Sequence, residues 1–161
     1  MGENNISNII AEQDKAANTK QNLPSSILFL CTQNAVRSPM AAALLKKFTR
    51  NNIFIQSAGI ATKDIDGFAV SVLKEVDIDI SDHVSLSIEN VAISSFDLVV
   101  CFSEMARNSA EEICRAVATE LEFWPVYDPV NQTEKRTDQL EHYRKLRVQL
   151  DELLNKNFNI K

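Results

Sequence analysis

The chain has 161 residues and a formal net charge of −5, enough for one domain with a full hydrophobic core. Hydrophobic residues make up 45% and charged residues 24%. That balance fits a globular protein and argues against a nucleic-acid partner, which would demand a basic patch. No apolar run approaches the roughly 20 residues that span a bilayer, so no membrane partner is expected.

Residues 1–24 are rich in Asn, Gln, Ala, Glu and Lys, end at Pro24, and read as a disordered leader. They lack the basic start and apolar stretch of a secretory signal. The folded domain is expected over residues 25–161. Ile27 to Leu30 is a short continuous apolar run, as in a strand buried on both faces. Pro39 to Thr49 carries Met40, Ala41, Leu44, Leu45 and Phe48 at helical spacing, with Ser38 as N-cap and Pro39 as first helical residue. Ile53 to Gln56 reads as a second strand, closed by a turn at Ser57, Ala58 and Gly59. Phe68 to Glu75 reads as a helix and Phe96 to Phe102 as a third strand. Ser103 caps a helix reaching about Val117. Leu121 to Trp124 is a fourth strand and Gln139 to Leu154 the last helix. Strands alternating with helices through short connections imply a parallel sheet covered on both faces, with ligands at the carboxyl ends of the strands.

The three cysteines, Cys31, Cys101 and Cys114, are odd in number and irregularly spaced, with no C-x-x-C pair. They read as reduced thiols of a cytoplasmic protein rather than a disulfide framework or a zinc site. No metal or cofactor is expected. Cys31 closes the first strand, Arg37 comes six positions later, and Ser38 opens the helix. A loop between a strand and a helix N-terminus turns backbone N–H groups inward, and the helix dipole adds partial positive charge. Such a nest holds a tetrahedral oxyanion. Thr32, Gln33, Asn34, Ala35, Val36, Arg37 and Ser38 would surround it. Arginine contributes a planar fork for two oxygens, and cationic surroundings favour the thiolate form of a cysteine. Cys31 is then the candidate nucleophile. Asp128, in the Asp-Pro pair after the fourth strand, lies at the same edge as a candidate acid.

The segment Ile27-Leu28-Phe29-Leu30-Cys31-Thr32-Gln33-Asn34-Ala35-Val36-Arg37-Ser38-Pro39-Met40-Ala41 resembles the phosphate loop of the low-molecular-weight protein tyrosine phosphatases, and of the arsenate reductases that share their fold. The likeness continues through Ser57-Ala58-Gly59, Ile78-Asp79-Ile80-Ser81-Asp82-His83, Phe96-Asp97-Leu98-Val99-Val100 and Asp128-Pro129, in the family's order. It implies a flavodoxin-like three-layer α/β sandwich whose four-stranded parallel sheet has the order 2-1-3-4. It also implies a phosphocysteine at Cys31, phosphoryl binding by Arg37, and proton transfer by Asp128. Ser38 would donate to the Cys31 sulfur. Asn34 would hold the loop in its strained shape and His83 would brace it. The implied substrate is a phosphorylated protein or a small aryl phosphate. Oligomeric state stays open.

Three departures stand out. Gln33 replaces the usual glycine or histidine. Lys63 stands where eukaryotic members carry an aromatic residue, and Val130-Asn131 replaces a tyrosine pair. Tyr127 and Phe68 are the aromatic residues that could substitute. Arsenate reduction with an external thiol is the alternative activity. The two relay cysteines of thioredoxin-coupled reductases fall at Ser103 and Ala110, so an internal disulfide relay is not expected. A non-catalytic phosphate-binding module is the remaining alternative.

Overall fold

A computed structural model describes residues 23–50 and 52–160. The leader expected over residues 1–24 lies, apart from Leu23 and Pro24, outside the described residues. The first strand, β1, runs Ser26–Cys31 and is buried along its whole length, as the unbroken apolar run predicts. The helix α1 spans Arg37–Thr49 and β2 spans Phe54–Gly59. The helix α2 is Gly67–Lys74, capped by the Asp66 carboxylate, which accepts from the Phe68 N–H. Two short 3-10 turns, Ile88–Asn90 and Ile93–Ser95, lead to β3, Leu98–Cys101. The helix α3 is Glu104–Ala116 with Ser103 as its expected N-cap. The strand β4 is Glu120–Phe123, and α4 is Arg136–Phe158.

All strand pairs are parallel, and the sheet order is β2-β1-β3-β4, the flavodoxin-like order expected. Alternation along β1 sends Ile27, Phe29 and Cys31 to one face and Leu28 and Leu30 to the other. The first face meets Met40, Leu44 and Leu45 of α1, Val72 and Leu73 of α2, and Tyr143, Leu146, Leu150 and Leu154 of α4. The second meets Ala106, Ala110 and Cys114 of α3, with Ile93 and Phe96. The core is therefore double, split by the sheet.

Two local readings need correction. Ser57, Ala58 and Gly59 form no turn: they complete β2, with Gly59 paired to Cys31. Ser38 is not the N-cap of α1. The helix begins at Arg37, Val36 occupies the cap position, and no side chain caps it. The Ser38 hydroxyl is engaged elsewhere, with Cys31, Asn34 and Ala58.

Candidate active site

Because every strand is parallel, Cys31, Gly59 and Cys101 end their strands at one edge, and Asp128 follows β4 at that same edge. Residues 31–36 form a loop whose carbonyl oxygens are all engaged. The Ile60 N–H donates to Cys31 O (3.2 Å), Ala61 N–H to Thr32 O (2.9 Å), Lys63 N–H to Gln33 O (3.1 Å) and Asp66 N–H to Ala35 O (3.1 Å). Met40 N–H donates to Val36 O at 3.1 Å. Ser85 Oγ donates to Asn34 O at 3.0 Å. A trans peptide sets its C=O and N–H antiparallel, and no cis peptide occurs among the described residues. Pulling the carbonyls of residues 32–36 outward thus aims the N–H groups of 33–37 inward. That is the nest anticipated from the sequence.

The turn depends on Asn34, whose φ of 53° lies in the left-handed region, one that Asn tolerates better than most residues. Its side chain is fully buried and fully used. Nδ2 donates to Ser38 Oγ (2.8 Å) and Ser57 Oγ (2.9 Å). Oδ1 accepts from Leu86 N–H at 2.9 Å. His83 Nε2 lies 3.1 Å from Asn34 Oδ1 and 3.2 Å from Asn34 O. Both partners are acceptors, so Nε2 carries the proton. Burial pushes the imidazole below its ordinary value of 6.5, which favours the neutral ring at neutral pH.

Cys31 Sγ lies 2.9 Å from Ser38 Oγ. A thiolate has no proton to give, so Ser38 becomes the donor once Cys31 ionises. Arg37 curls back over the loop, with Nη2 3.4 Å from Thr32 Oγ1. Thr32 in turn donates to Ser103 Oγ at 3.1 Å, tying the loop to the N-terminus of α3. A cavity of about 250 Å³ is lined by Cys31, Thr32, Gln33, Ala35, Val36, Arg37, Asp128 and Val130. Asp128 is exposed, and its Oδ1 accepts from the Val130 N–H at 3.1 Å.

The structure thus brings Cys31, Arg37 and Asp128 to one cavity. Thr32, Gln33, Ala35 and Val36 line it as well. The side chains of Asn34, Ser38 and His83 lie behind the loop, in its supporting network. Neither aromatic substitute flanks the cavity. Phe68 packs on Tyr143, with ring centroids 5.3 Å apart. Tyr127 stacks on His142 at 5.8 Å, under the Lys145 ammonium at 4.2 Å. Sequence reading missed Gln139, a buried residue whose amide holds the Asp128 segment. No motif marks it, since glutamine on a helix is commonplace.

Known proteins bear on these observations. Arsenate reductase from Staphylococcus aureus is 38% identical over 104 residues, 65% of this chain and 78% of that protein. Arsenate reductase 2 of Staphylococcus saprophyticus is 34% identical over 110 residues, 67% and 81% of the two chains. Among solved structures, the YwlE arginine phosphatase of Geobacillus stearothermophilus superposes with a TM-score of 0.71 at 26% identity, covering 84% of this chain and 92% of that one. An arsenate reductase in its phosphate-binding state gives 0.69 at 28% identity, covering 85% and 99%. Residues 26–157 match the family described as low molecular weight phosphotyrosine protein phosphatase. Fold, phosphate loop and relatives agree, and the chain belongs to that family.

Proposed function

We propose that this chain hydrolyses phosphate monoesters, such as protein phosphotyrosine or small aryl phosphates, through a phosphocysteine at Cys31. The observation that carries this reading is the shared cavity of Cys31, Arg37 and Asp128. Sγ attacks phosphorus, the ester P–O bond breaks, and Asp128 gives its proton to the departing oxygen. Arg37 and the inward N–H groups stabilise the equatorial oxygens as charge develops. Asp128 then takes a proton from water, which attacks phosphorus. The S–P bond breaks toward sulfur, with Ser38 donating to the departing thiolate. Gln33 and Val130 form the walls, so binding energy comes from the phosphoryl group rather than from ring stacking. The three cysteines are free, which suits a reducing, cytoplasmic compartment.

The relatives named above favour a second reading, arsenate reduction, over hydrolysis. Arsenate is a tetrahedral oxyanion and fits the same nest. Cys31 would attack arsenic(V) with loss of water. An external thiol such as glutathione would then attack Sγ, leaving the S–As electron pair on arsenic as arsenite. A second thiol would release Cys31 from the mixed disulfide. An internal relay has no support: Ser103 and Ala110 carry no thiol, and Cys101 and Cys114 belong to the core on the opposite face of the sheet.

One preparation assayed both ways tests the reading. Expected are hydrolysis of aryl phosphates, competition by phosphate and vanadate, and complete loss in Cys31→Ser with phosphate binding retained. Arsenate reduction with glutathione or thioredoxin, without ester hydrolysis, would overturn hydrolysis in favour of the second reading. Turnover surviving in Cys31→Ser would remove Cys31 from both.

A further inference from the structure

The segment that carries Asp128 has no regular structure between β4 and α4. Asp128 itself is exposed and touches little beyond its own turn, through Val130 N–H and through Gln132 Nε2, which donates to its carbonyl at 2.9 Å. A proton donor must nonetheless sit within hydrogen-bond reach of the leaving oxygen. What holds it there comes from α4. Gln139 Nε2 donates to Pro129 O at 2.6 Å. Gln139 Oε1 accepts from Thr133 N–H at 3.2 Å. Further along the same helix, Gln149 Oε1 accepts from Tyr127 N–H at 2.8 Å, and His142 Nδ1 lies 2.5 Å from Tyr127 Oη.

We propose that Gln139 is the positioning residue that sets Asp128 over Cys31, by gripping the acid segment from the helix that Tyr143 ties to the phosphate loop. The tie between helix and loop runs through Tyr143 and the half-buried Asp66. Tyr143 Oη donates to Asp66 Oδ2 at 2.7 Å, and Asp66 N–H donates to Ala35 O at 3.1 Å. Gln139 is only 5% exposed and Tyr143 1%, so the bond from Gln139 to Pro129 O is shielded from bulk water. The amide is held at both ends: an N–H goes to Pro129 O, and the oxygen takes the Thr133 N–H. Both ends of its head therefore have a fixed direction, which a leucine cannot supply and a carboxylate would oppose at the Pro129 carbonyl.

The proposal deepens the hydrolytic reading and rests on it for its catalytic part. Its test compares Gln139→Leu and Gln139→Glu with the wild-type chain, each first checked for a cooperative melt. Backbone amide exchange should quicken over residues 129–134 and stay unchanged over 32–37. Inhibition by inorganic phosphate should hold, because the nest is untouched. Formation of the phosphocysteine should slow by about 10²-fold for phenyl phosphate, the scale of a misplacement of about 1 Å. A nitrophenyl ester, whose oxygen departs with little help, should lose far less. Unchanged exchange over 129–134, or an equal loss for both esters, overturns the proposal. A wild-type protein that turns over neither ester sinks the hydrolytic reading instead, and the exchange comparison then decides by itself whether Gln139 holds the segment.

Discussion

Asp128 lines the cavity from a flexible-looking sequence context, an Asp-Pro turn, yet the chemistry asks more of it than of any other exposed carboxylate here. A general acid matters in proportion to how poorly the leaving group departs. Asp128→Asn removes the proton while keeping size and the acceptor oxygen for Val130 N–H. For phenol-like leaving groups the first step should slow by roughly 10²–10⁴-fold, and for activated nitrophenols by much less. Rates across a series of substituted phenyl phosphates read this directly. A uniform loss would show that Asp128 only shapes its turn. Of the remaining site residues, Cys31 and Arg37 were legible from one short motif, whereas the support by Asn34, Ser38 and His83 was expected only from the family resemblance. Ser38 shows the limit of local rules. Serine before proline reads as a helix cap, but its hydroxyl lies against Cys31 Sγ and accepts from Asn34. Tertiary demand overrode the capping preference. Gln139 was illegible for a related reason, since its value depends on a segment that folds back onto it.

At the scale of elements, the phosphate loop is a shape imposed by its neighbours. The segment after β2 takes up four of the loop's carbonyls, those of Cys31, Thr32, Gln33 and Ala35. At Gly59 the backbones approach too closely for a side chain. A Cβ there would lie 2.4 Å from Ala61 O, 2.6 Å from Asn34 N and 2.8 Å from Gln33 C. These are backbone atoms and cannot swing aside as a side chain would. Overpacking commonly costs about 1–3 kcal/mol, and here the strain falls on the nest itself. Gly59→Ala should therefore lower the urea midpoint and weaken phosphate binding together. A variant with wild-type phosphate affinity would mean that β2 does not seat the loop. The strands and helices themselves were mostly legible, because apolar runs and helical spacing report burial. The ends were less so. Ser57-Ala58-Gly59 reads as a turn from composition, yet it is strand because small residues are what the crossing loop permits. The start of α4 at Arg136 rather than Gln139 is equally silent, as its first turn is exposed and polar.

The molecule as a whole is two cores divided by a sheet, and that division bears on redox chemistry. Cys31 belongs to one core and opens into the cavity. Cys101 and Cys114 belong to the other. Burial, together with the neighbouring Cys114, pushes the Cys101 thiol up to about 12, and burial raises Cys114 as well. Only the thiolate is nucleophilic. At pH 8 a thiol of that acidity is ionised to about one part in ten thousand. Native protein exposed to iodoacetamide should therefore gain a single adduct, at Cys31, and inorganic phosphate should protect it. Full denaturation should expose all three thiols. The same separation argues against an internal disulfide relay. If the chain reduces arsenate with glutathione, Cys101→Ala combined with Cys114→Ala should leave that rate unchanged, while Cys31→Ser abolishes it. Mass analysis of the native adducts is the sharper arm. Labelling of Cys101 or Cys114 at a rate comparable to Cys31, without denaturant, would show that the second core opens readily, and an internal relay would then have a route through the sheet that this packing denies it.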